Sequence, residues 1–136
     1  MSRTKIITEA RSWIGTRIHH QGMVKKTNFS QGGCDCIGFI IGVATALDIK
    51  CNGVALSDID NKNYSKVPDG KSLQAALDKY LTQIDLKNAK AGDILLLKIN
   101  KYPQHVAFIG EYNDGSFSLI HCFIQARGVV EHALDD

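Results

Sequence analysis

Four cysteines and five histidines are the side chains of this 136-residue sequence whose chemistry extends beyond packing and fixed charge. Cys36 has the most telling surroundings. It lies in Gly32-Gly33-Cys34-Asp35-Cys36-Ile37-Gly38 and opens the longest apolar run of the chain, Cys36 to Leu47, which holds no charge and only Thr45 as a hydroxyl. A cysteine at the first turn of a buried helix leaves this trace. The unpaired N–H groups and macrodipole of a helix start favour negative charge, so a thiol placed there is expected to ionise easily and act as a nucleophile. The chemistry indicated is that of a cysteine hydrolase.

A thiol nucleophile needs a base, usually histidine, and a further group that holds the imidazole in the right tautomer. His105 and His121 are placed for these roles. They fall on two expected neighbouring strands joined by Glu111-Tyr112-Asn113-Asp114-Gly115-Ser116-Phe117. If Asn113-Asp114-Gly115 is a three-residue loop with Gly115 left-handed, Tyr112 and Ser116 close the hairpin. Ala107 then lies opposite His121, and His105 opposite Phe123. The two histidines become diagonal neighbours on one face, roughly 7 to 8 Å apart at the backbone. A two-residue loop at Asp114-Gly115 would put them on opposite faces. A zinc site built from Cys34, Cys36, His121 and Cys122 meets two objections. His121 and Cys122 are adjacent on a strand and point apart, and Cys-x-Cys is short for zinc ligands. Neither metal nor cofactor is expected.

Asp35 is expected to cap the helix, accepting from its free N–H groups, and to stand at the substrate or oxyanion site with His20 and Gln21, rather than to serve as a catalytic acid. His20 with Gln21 either lines the cleft, where it would contact substrate, or is loop surface; the sequence leaves both open. Cys34 is placed in the loop as a bystander or redox-sensitive neighbour, and Cys51 and Cys122 as packing residues. His19 and His132 receive no role. Trp13 is expected to anchor the first helix in the core.

The positioning elements follow from periodicity. Ile6, Ile7, Ala10, Trp13 and Ile14 recur at helical steps from Lys5 to Ile14, and Gly15 ends that segment. Residues 16–35 show neither period and are expected to be a long, partly ordered loop. The central helix runs from Cys36 to about Leu47-Asp48. Residues 49–71 are polar and irregular with a turn at Pro68-Asp69-Gly70. Ser72 then caps a short helix with Leu73, Ala76, Leu77, Tyr80 and Leu81 on its apolar face. After Ala91-Gly92-Asp93 the pattern turns to strands, at Ile94–Ile99, Val106–Tyr112, Phe117–Ile124 and Val129–Ala133. Helices first and strands last indicate one α+β domain over residues 1–136, its antiparallel sheet packed on the Cys36 helix.

Composition narrows the partners. A formal charge of +2 from 16 basic and 14 acidic residues, with no basic cluster beyond Lys25-Lys26, gives no footprint for nucleic acid. No stretch reads as a secretory signal or a membrane span, so the expected product is made in the cytoplasm with reduced thiols.

The chain resembles the NlpC/P60 cysteine peptidases, and within them the small phage-type cell-wall peptidases. Matching pieces occur in order: Trp13-Ile14-Gly15-Thr16, His20-Gln21, Gly33-Cys34-Asp35-Cys36-Ile37-Gly38, Ala91-Gly92-Asp93-Ile94-Leu95, His105-Val106-Ala107-Phe108-Ile109-Gly110, Leu119-Ile120-His121 and Gly128-Val129-Val130-Glu131. The resemblance implies a papain-like fold with Cys36 as nucleophile, His105 as base and His121 as the residue orienting it. It also implies that the substrate is the peptide stem of bacterial peptidoglycan, cut between D-glutamate and a diamino acid, with delivery by a virion among the routes. Arg17-Ile18 stand where many members carry Pro-Tyr, a departure that bears on substrate contact and rate. Two alternatives stay open: an amidase or acyl transferase of the same thiol fold, and a tail or assembly protein without turnover.

Overall fold

Ser2 opens the first helix by accepting from the Lys5 N–H at 3.1 Å, a side-chain cap on the otherwise unpaired first turn. In this computed structural model, which describes residues 2–19, 22–51, 54–55, 84–99 and 102–134, helix α1 spans Arg3–Ser12. Gly15, at φ +96°, turns the chain out of it. Two short strands follow, β1 (Met23–Val24) and β2 (Gly33–Cys34), paired antiparallel.

Residues 16–19 and 22–35 are thus better ordered than their lack of periodicity suggests. Backbone bonds pin them: Arg17 N–H donates to Gln31 at 3.1 Å, His19 N–H to Cys34 at 2.8 Å, and Cys34 N–H to Arg17 at 2.9 Å. Such bonds ask nothing of side-chain pattern, so sequence periodicity does not register them.

Helix α2 spans Cys36–Ala46 and buries Phe39, Ile40, Ile41, Val43 and Ala44. It ends at Leu47, after which Asp48 takes φ +54°. Strands β3 (Lys50–Cys51) and β4 (Val54–Ala55) form a small antiparallel pair. The helix expected from Ser72 to Leu81 lies outside the described residues. After a 3-10 turn at Leu86–Asn88 come β5 (Ile94–Ile99), β6 (Tyr102–Glu111), β7 (Phe117–Phe123) and β8 (Gly128–Ala133). They pair in chain order as a four-stranded antiparallel meander, with a bulge in the β5–β6 register after Leu97.

The α+β class is as expected. One face of the sheet presents Val106, Phe108, Ile120, Cys122 and Val129, all buried in a cluster with Ala10 and Trp13 from the α1 side and Phe39, Ile40 and Val43 from α2. Phe39 is its pivot, fully buried and edge-on to both Trp13 (5.7 Å between ring centres) and Phe108 (5.4 Å). Burial of such a ring contributes about 2–3 kcal/mol. Arg11 ties α1 to the sheet through two 3.0 Å bonds to the Glu131 carboxylate and a 2.8 Å bond to the Glu111 carbonyl. No helix among the described residues is long and apolar enough to cross a membrane.

Candidate active site

Cys36 is the first residue of α2, and Asp35 is its cap. Asp35 Oδ1 accepts from the Gly38 N–H at 2.7 Å, and its carbonyl accepts from Phe39 at 2.9 Å. Asp35 is buried and its own N–H donates to the Gly22 carbonyl at 3.3 Å, so the preceding loop closes over the helix start. A Cβ on Gly38 would lie 1.8 Å from that same Gly22 oxygen. Glycine is therefore required two residues after Cys36. Gly38→Ala should gain about 1 kcal/mol of helix propensity and lose more to the backbone clash, for a net destabilisation of about 1–2 kcal/mol. Urea unfolding reads this directly; an unchanged or higher midpoint would mean that the loop does not press on α2.

The helix start does not depress the Cys36 thiol. Burial first, and then the neighbouring Asp35 carboxylate, push it up to about 11, against the downward pull of the Val106 and Ile37 N–H groups. The expected easy ionisation is corrected on this point. Macrodipole logic assumes a solvated helix end, whereas this one is buried and already carries an acidic cap. The resting group is a neutral thiol.

The hairpin has the three-residue loop that the catalytic assignment requires. Tyr112 N–H donates to Ser116 at 2.9 Å, Gly115 has φ +87°, and the paired residues run from Glu111 with Phe117 to Phe108 with Ile120. Continuing that register places Ala107 opposite His121 and brings the two imidazoles together, with His105 Nε2 and His121 Nδ1 2.6 Å apart. Phe123 packs on both, its ring stacked on His121 at 5.0 Å and tilted to His105 at 6.0 Å. Both histidines are buried, and burial lowers each to about 4, helped at His121 by the neighbouring imidazoles. They are neutral at physiological pH.

Cys36 reaches β6 through the backbone. The Val106 N–H lies beyond the last paired residues of β6 and β7 and near enough to the Cys36 sulfur to pull its thiol down. The thiol thus sits against the residue that follows His105. No hydrogen bond joins Cys36 to His105 among the described residues. With Nε2 engaged by His121, Nδ1 is the ring nitrogen of His105 left outside that pair.

Other expectations resolve differently. Cys34 is no loop bystander; it is fully buried in β2 and belongs to the core, where Cys122 Sγ donates to its carbonyl at 3.2 Å. Cys122 packs in the core as expected. Cys51 lies in β3, but its side chain, like His20 and Gln21, is outside the described residues. Ile18 bridges to Cys34 and packs partly buried against the core. Among the described residues no group of three or more His, Cys, Asp or Glu is placed to hold a metal ion.

His132 is the residue that sequence reasoning missed. Its Nε2 lies 2.8 Å from His121 Nε2, and its Nδ1 lies 3.1 Å from the Ala133 carbonyl. The available signal was the β7–β8 register. His121 pairs with Val130, which places His132 diagonally beside it on the same face.

These groups set a pH window for stability. The two imidazoles sit below the unfolded value of about 6.5. As pH falls from there towards about 4, the unfolded chain takes up protons that the folded one refuses, and stability is lost. Cys36 sits above its unfolded value, so its contribution is complete below about pH 8.5 and is lost as pH rises towards about 11. Thermal melting should be highest between those limits and fall on both sides. His105→Gln should flatten the acid limb; a limb of equal steepness in that variant would contradict the buried neutral imidazole.

Fold and site together define a class: an α+β domain with a thiol at a buried helix start, abutting a strand that carries a paired imidazole. Compared with known proteins, the chain matches no family model, no curated protein and no solved structure.

Proposed function

We propose that the protein is a papain-like cysteine peptidase of the NlpC/P60 kind that hydrolyses the peptide stems of bacterial peptidoglycan. One observation carries the acyl-transfer chemistry: Cys36 heads α2 against Val106, while the adjacent His105 has its Nε2 held by His121 at 2.6 Å. The substrate class comes from the resemblance in motif order.

In this mechanism His105 Nδ1 takes the Cys36 proton as the sulfur attacks the scissile carbonyl. A neutral thiol beside a neutral imidazole makes this general-base attack rather than attack by a standing ion pair. The Cys36 N–H, to which no described residue is bonded, and the start of α2 stabilise the oxyanion. His105 then gives its proton to the leaving amine, and water releases the acyl group from sulfur. Asp35 organises the helix start through its bond to Gly38.

A second reading draws on the raised thiol and on Ile18. A fold with an inert, half-buried cysteine whose thiol is pushed up would suit a non-catalytic tail or assembly domain. Incubation with purified peptidoglycan, labelling of new free amines and mass spectrometry separates these functions. New amines on the diamino acid are expected; whole stem peptides freed from sugar would make the protein an amidase; no release at any pH would leave the non-catalytic reading.

A further inference from the structure

The three imidazoles form a directed chain, and its direction can be read from one carbonyl. A carbonyl oxygen only accepts, so His132 Nδ1, 3.1 Å from Ala133 O, carries a proton. When His132 is neutral its Nε2 is then a lone pair, and it accepts from His121 Nε2–H at 2.8 Å. His121 Nδ1 is left as an acceptor for His105 Nε2–H at 2.6 Å. His105 Nδ1 is consequently the bare nitrogen, which is the tautomer a base for Cys36 requires. Burial falls along the chain, from His105 and His121, both buried, to His132, which is exposed on β8.

We infer that His132 is a positioning residue for the proposed reaction: it sets the tautomer of His105 through His121 and holds, in solvent, the positive charge created when Cys36 ionises. The inference rests on Cys36 and His105 being nucleophile and base. The protons balance as follows. The Cys36 S–H bond breaks and an N–H bond forms at His105 Nδ1. The Nε2 proton of His105 passes to His121 Nδ1, and the Nε2 proton of His121 passes to His132 Nε2. His105 and His121 end neutral with reversed tautomers, Cys36 is a thiolate, and His132 is an imidazolium. When the leaving amine takes the proton from His105 Nδ1, the chain runs back.

This transfer relieves the electrostatic difficulty of the site, because burial opposes a cation on His105 or His121 but not on an exposed ring. It also implies a switch. Protonation of His132 from solvent turns its Nε2 into a donor, reverses both buried tautomers and puts a proton on His105 Nδ1, where it blocks the base. Among the described residues, the titratable groups along the chain are the three imidazoles, the Cys36 thiol and the Asp35 carboxylate, whose charge acts on that thiol. Glu131, beside His132 in sequence, points to the other face and is taken by Arg11 and Ser118.

The test uses the full chain and no substrate, so it stands apart from whether peptidoglycan is cleaved. Nitrogen-15 NMR of the histidine rings at about pH 8 should find His105 and His121 both protonated at Nε2 and bare at Nδ1. Iodoacetamide alkylation of Cys36 at the same pH should slow about tenfold in both His132→Leu and His132→Gln, since neither side chain can take the proton. His105 protonated at Nδ1 in the wild type would overturn the inference. So would alkylation within twofold of wild type in both variants, or a slow Leu variant beside a fully active Gln variant, which would reduce His132 to a hydrogen-bond acceptor.

Discussion

Cys36→Ala is expected to abolish cleavage of peptidoglycan stems, with kcat reduced by at least about 10⁴-fold, because loss of the nucleophile removes the covalent route and leaves only binding and the oxyanion site. The fold should survive. Cys36 is only partly buried, alanine is a better helix former, and the Asp35 cap on Gly38 does not involve the sulfur. A melting temperature close to wild type with no released amines is the expected pair of results. The same variant identifies the reactive thiol. In the wild type, alkylation of Cys36 should climb with pH towards about 11 instead of holding level from acid pH, since the resting thiol is neutral. Cys34 and Cys122, both buried, should react only when the protein unfolds. A rate independent of pH across the neutral range would mean a standing thiolate–imidazolium pair, and the electrostatic description of the site would then be wrong.

His105→Gln carries the second large effect, a loss of about 10²–10⁴-fold in kcat/KM, the range usual for removal of a general base. Glutamine can keep a hydrogen bond to His121 but cannot accept the thiol proton, so the variant separates proton transfer from packing. Its activity should recover in part as pH rises and hydroxide ionises Cys36 directly. Steady-state rates across pH check this. A variant within tenfold of wild type at neutral pH would remove His105 from the base role and leave the 2.6 Å histidine pair without a catalytic purpose.

Local chemistry explains which parts of this site could be foreseen. Asn113-Asp114-Gly115 specifies a turn, the turn specifies register, and register puts His105 and His121 on one face. Asp35 before an apolar run announces a capped helix, and the cap is present. Neither inference needs knowledge of distant contacts. The state of the Cys36 thiol does need it, because it depends on how deeply the helix start is buried and on Gly22 closing over Asp35. Cys34 is misplaced by the sequence for a related reason. It reads as loop because Gly33-Cys34 is a two-residue strand, too short to show alternation, yet its partners Met23, Ile18 and Cys122 carry it into the core. His132 escaped notice because its meaning comes wholly from strand β8 pairing beside His121. One more hairpin register, with Phe123 opposite Gly128 across the turn at Ile124 to Arg127, would have exposed it.

The central claim is that Cys36 carries the acyl group. It is tested most directly by acid-quenching the protein during incubation with a purified muropeptide and examining the Cys36-containing peptide by mass spectrometry. The wild type should show a thioester adduct on Cys36 equal in mass to the acyl half of the substrate, and Cys36→Ala should show neither adduct nor product. Product formed at equal rates by both proteins, with Cys36 unmodified throughout, would contradict it.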